Sequence, residues 1–122
     1  MRISVMLIVF ALLSSVSTPL HARVKTVGKG DKLNFDPLQI PQEMKGAFEL
    51  MNVKCIQCHT QERAVIAIQS GIAPVSGQPF DEKAAKAYGD KLLHKSKAKM
   101  TKEEMKQVVN LMTYLIAEAA KP

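Results

Sequence analysis

The sequence predicts an all-α domain of about four helices, and three observations lead there. Apolar residues recur at helical spacing in several stretches, and no stretch shows the apolar–polar alternation of a half-buried strand. At 122 residues the chain holds one small domain and not two ordinary ones. Hydrophobic residues at 47% and charged residues at 23% match globular usage, which excludes a wholly disordered or low-complexity chain. Only 5% of residues are aromatic and there is no Trp, so the core must be filled by aliphatic residues, the seven Met, or a bound group that is not amino acid.

The elements follow in order. Arg2, the apolar run Ile3 to Leu13, and a small residue, Ala22, read as a secretory signal over residues 1–22. The run is shorter than the roughly 20 apolar residues that span a bilayer. The expectation is therefore a soluble periplasmic chain from Arg23, with no transmembrane anchor after cleavage. Removing the first 22 residues leaves 100, and loss of Arg2 takes the formal net charge from +6 to +5. Residues 23–40, basic and carrying Gly28 and Gly30, read as a mobile leader, and the folded domain is expected over 41–122.

Pro41 suits the first position of a helix, on which Met44, Ala47, Phe48 and Met51 recur at i, i+3, i+4, i+7. Gly46 on this helix would let another backbone cross closely. Thr60 to Gln69 is weakly helical and stops at Gly71. Ile72 to Phe80 holds Pro74, Gly77 and Pro79 and cannot be regular. Asp81 is placed to cap a helix whose face is Ala84, Ala85, Tyr88 and Leu92. Thr101 and Glu104 then form a capping box, with Met100 and Met105 at the positions of a hydrophobic staple. The last helix carries the stripe Met105, Val108, Val109, Met112, Leu115, Ile116 and Ala119, whose obvious counterpart is the first helix.

The chemistry lies in Cys55-Ile56-Gln57-Cys58-His59. C-x-x-C-H is the covalent attachment signature of c-type haem: one helical turn places two thiols where they can add to the two vinyl groups of one porphyrin, and the adjacent imidazole reaches the iron. A thioredoxin-type redox pair would need a βαβ context and a zinc site two further ligands, and neither pattern is present. The expected cofactor is one covalent haem c, held by Cys55 and Cys58 with His59 as proximal ligand, and the loop from Ile72 to Phe80 is expected to cover one haem face.

From Pro41 to Ala120 the order of features resembles the monohaem class I cytochrome c family. A helix with Gly46 and Phe48 enters CIQCH, a Pro/Gly loop and a short helix follow, and a capped terminal helix carries Tyr114-Leu115. The resemblance implies a small cytochrome c-like fold of about four helices around one covalently attached haem, with the first and last helices crossed. It also implies a periplasmic carrier of single electrons rather than an enzyme, docking through a haem edge ringed by Lys. Lys91, Lys95, Lys97, Lys99 and Lys102 lie in the stretch expected there, so the partner would be a redox protein with an acidic surface; a solvated Lys-rich face is the alternative. Nucleic acid is not an expected partner of an exported chain.

The sixth iron ligand stays open between two residues. The resemblance implies a Met several residues before the terminal helix, but Met100 stands immediately before Thr101, where the staple explains it without iron. His94 has the better spacing, yet a continuous third helix would turn it about 120° from Tyr88, off the apolar face. An open or labile distal site, serving a small-ligand sensor or a peroxidase-like catalyst, is the alternative function.

Overall fold

A computed structural model of the chain describes residues 24–57, 60–94 and 99–122. The predicted signal segment, Arg23, Cys58, His59, Lys95 and Lys97 lie outside the described residues. Among the described residues four α-helices dominate: α1 (Lys45–Lys54), α2 (Glu62–Ser70), α3 (Glu82–Leu93) and α4 (Lys102–Ala120). Two strands of two residues each, β1 (Thr26–Val27) and β2 (Asn34–Phe35), pair antiparallel with Thr26 opposite Phe35 and Val27 opposite Asn34. The protein is therefore mostly helical, as the periodicity predicts, with a small hairpin added.

Residues 24–40, expected as part of a mobile leader ahead of a domain of 41–122, form this hairpin and the turns around it, and they pack on the helices. Val24, Phe35 and Ile40 are buried in the same core cluster as the helices, and Phe35 is completely excluded from solvent. Burying such a side chain contributes roughly 1.5–3 kcal/mol. Gln69 of α2 donates to the Val24 carbonyl at 3.3 Å, and the Asp36 N–H reaches the Lys25 carbonyl at 3.0 Å. Gly28 does not loosen this segment but turns it: its φ is +78°, and a Cβ there would stand 2.2 Å from the Lys32 carbonyl oxygen.

α1 buries Ala47, Phe48 and Met51 of the predicted face, while Met44, the fourth residue of that face, is half-buried in the 3₁₀ turn Gln42–Met44 that precedes α1 with Pro41 as its cap. A second 3₁₀ turn, Cys55–Gln57, carries the chain from α1 into the cysteine motif. α2 ends at Gly71, and α3 begins at Asp81, whose carboxylate accepts from the Ala84 N–H at 2.9 Å. The predicted capping box of α4 is complete: Thr101 Oγ1 accepts from the Glu104 N–H at 3.1 Å, and Glu104 Oε1 accepts from the Thr101 N–H at 3.2 Å.

α4 packs against α1, α2 and α3. It buries Met105, Val108, Leu111, Met112 and Leu115, so its face is wider than the predicted stripe and includes Leu111. The close approach also falls elsewhere than expected. Gly46 is exposed with open space around it, whereas a Cβ on Gly89 of α3 would stand 2.5 Å from Val109 Cγ2. Gly89 is what lets α3 settle against α4.

Candidate functional site

Cys55 caps the C-terminus of α1, its N–H donating to the Met51 carbonyl, and is half-buried. It forms part of the wall of a cleft of about 330 Å³. Gln61, Arg63, Ala64 and Ala67, from α2 and its approach, form one side. Ala73, Pro74, Val75, Ser76 and Phe80 of the loop close another, Tyr88 and Lys91 of α3 a third, and Met112 of α4 lies at the back. The lining is mostly apolar, and its two cations, Arg63 and Lys91, are both exposed at the rim. The irregular loop is held in shape by its own backbone: Ala73 N–H to the Gln78 carbonyl at 2.8 Å, and Phe80 N–H to the Gly71 carbonyl at 2.7 Å.

Neither candidate sixth ligand is among the described residues lining this cleft. His94 is exposed at the C-terminus of α3, its N–H bonded to the Lys91 carbonyl at 3.3 Å and its backbone still helical, so it lies where the helical phase puts it. Met100 is half-buried against the core cluster just before the α4 cap, while Met105 is buried within α4. Lys91, Lys99 and Lys102 are exposed.

A second cleft, of about 310 Å³, lies beyond Gln61. The hairpin supplies Asp31, Lys32, Leu33 and Asn34 to it, α1 supplies Asn52, and Ile56 and Thr60 flank it. Gln61 borders both clefts and is only 6% exposed. No sequence pattern marks these amides, because their partners come from three separate elements.

At the other end of the motif Lys54 joins α1 to the start of α4. Its Nζ donates to Glu104 Oε2 at 2.7 Å and to the Lys99 carbonyl at 3.1 Å, with Lys99 in the left-handed region at φ +45°. The Lys54 hydrogen bond first, then the Thr101 backbone N–H, hold the Glu104 carboxyl below its ordinary value of 4.5. Among the described residues no helix is long and apolar enough to cross a membrane, and no three His, Cys, Asp or Glu side chains gather as a metal site.

No protein-family model matches this chain, and it has no match among curated proteins or among solved structures.

Proposed function

We propose that this chain is an exported monohaem c-type cytochrome, resembling the class I family, that carries single electrons between redox proteins. The observation that carries the reading is Cys55 of the CIQCH motif standing in the wall of a mostly apolar cleft. Cys55 and Cys58 would hold the haem as thioethers and His59 would ligate the iron. When bound, the haem supplies a one-electron iron couple. The residues present suit it: Phe80, Val75, Ala67 and Met112 offer an apolar surface to a macrocycle, and Arg63 and Lys91 offer cations to its carboxylates. The pattern from Arg2 to Ala22 supports export to the periplasm, where haem is attached.

Acid–acetone extraction of the purified protein tests the attachment. The colour should stay with the chain, and Cys58→Ala should yield little folded holoprotein; haem that extracts freely from the unaltered protein removes the central claim. Docking on an acidic partner through Lys91, Lys99 and Lys102, with Lys95 and Lys97 between them, predicts a second-order electron-exchange rate that falls as salt rises. Screening shortens the steering field to about 8 Å at physiological ionic strength.

One observation favours the second reading, an open or labile distal site serving a small-ligand sensor or a peroxidase-like catalyst: neither His94 nor Met100 lines the cleft. Carbon monoxide decides between the two. Rapid binding to the unaltered reduced protein supports the open site. Binding that appears only after His94→Ala, or only after Met100→Leu, assigns the sixth position to that residue. A bis-histidine site would also lie at lower potential than a His/Met one.

A further inference from the structure

Asn52 stands one helical turn before Cys55 on α1 and is half-buried. Its Oδ1 accepts from two sides: Asn34 Nδ2 of the hairpin at 2.8 Å, and Gln61 Nε2 at 3.4 Å. The orientation is set from outside. Asn34 Oδ1 accepts from the Phe35 N–H at 2.8 Å, which leaves its amide nitrogen facing Asn52. Phe35 is itself fixed by complete burial. A polar chain thus runs from the hairpin core through α1 to Gln61.

Gln61 is where that chain meets the site. It follows His59 by two residues, it lines both clefts, and its carbonyl accepts the Val65 N–H at 3.0 Å at the start of α2. A shift of Gln61 would therefore move the beginning of the α2 wall, with Arg63 and Ala64, and join a mostly apolar cleft to one lined by Asp31, Lys32 and Thr60. A buried amide deprived of its partner seeks water, so loss of the Asn52 acceptor would favour that shift.

We propose that Asn52 is a positioning residue of the haem site: it ties the hairpin to the segment leaving CIQCH and holds Gln61 as the wall that keeps water of the second cleft away from the haem. The inference rests on the haem reading above. Water admitted beside the haem stabilises the more highly charged oxidised iron, so the hairpin, through Asn52, raises the reduction potential.

The test uses the full-length haem-loaded protein and reads its midpoint potential and the hydrogen exchange of the Phe35 amide. Asn52→Leu should load haem normally yet lower the reduced-to-oxidised ratio at fixed ambient potential about tenfold, about 59 mV for one electron, and should speed exchange at Phe35. Gln61→Ala, which removes the wall itself, should lower the ratio at least as far, and it carries the test if Asn52→Leu does not accumulate. Val108→Ala, a core change that lines neither cleft, should lower thermal stability and leave the potential in place. Loaded Asn52→Leu and Gln61→Ala proteins with the potential of the unaltered chain overturn the inference while leaving the haem reading intact. An unaltered protein without haem overturns that reading, and the inference with it.

Discussion

Two segments outside the α-helices, one ahead of α1 and one joining α2 to α3, solve the same problem in opposite ways. The hairpin of residues 24–40 makes few ladder bonds, yet it buries Val24, Phe35 and Ile40 against the helical core. The loop of residues 71–80 is well bonded along its own backbone, with Ile72 bridged to Pro79, yet it leaves Ile72 51% and Val75 80% exposed. Hydrogen bonding fixes the shape of a segment, but apolar burial determines how much it stabilises the whole. The hairpin is completed by the protein's own side chains. The loop lays apolar side chains, Val75 and Phe80 among them, along the mostly apolar cleft; on the haem reading proposed above, this is the wall the cofactor would cover.

The largest expected effect comes from cutting the hairpin's anchor. Phe35→Ala should cost about 3–5 kcal/mol in a denaturant melt, the range for truncating a fully buried Phe. A change within about 0.5 kcal/mol would return the segment to the status of a leader. Next comes its turn: Gly28→Ala should cost about 1–3 kcal/mol, because the backbone there is left-handed and the added carbon meets the Lys32 carbonyl. The same melt on the loop separates the two cases. Val75→Ser, at a residue this exposed, would change stability by less than about 0.5 kcal/mol if the side chain faced only water. If the proposed haem covers Val75, the expected cost is about 1 kcal/mol, the worth of a buried methyl group or slightly more.

What the sequence made legible depended on range. The α4 start was readable residue by residue because Thr101 and Glu104 bond within one turn. The same holds for Asp81, which bonds Ala84. The hairpin was hidden because strands of two residues carry no alternation and because Phe35 is buried by elements distant in sequence. Two misses had a usable signal. Ala85, Tyr88, Gly89 and Leu92 fall at i, i+3, i+4 and i+7, on the inner face of α3, and Leu111 falls between Val108 and Leu115 at the same spacing. Within the candidate site, Cys55 and the loop were legible from motif and composition. The Asn34–Asn52–Gln61 chain was not, since polar pairs separated by 9 and 18 residues leave no periodic trace.

The smallest expected effect leaves both segments alone and acts on the scaffold between them. Lys54 and Glu104 tie α1 to α4 with side chains about a quarter exposed, so their attraction is screened and modest. A carboxylate held below its unfolded pKa binds fewer protons when folded, so its contribution is fully present above the ordinary value of 4.5 and is lost as pH falls through the lower, folded one. Acidification through that window should therefore lower stability in the unaltered protein more steeply than in Lys54→Met, in which the principal cause of the shift is gone. Hydrogen exchange should locate the loss at the ends of α1 and α4, with the Phe35 amide still protected, because the hairpin's anchor is apolar and carries no titrating group. Equal pH slopes for the two proteins would remove Lys54 as the source of the effect. Early exposure of Phe35 would mean that the hairpin depends on the helix tie and is not an independent anchor.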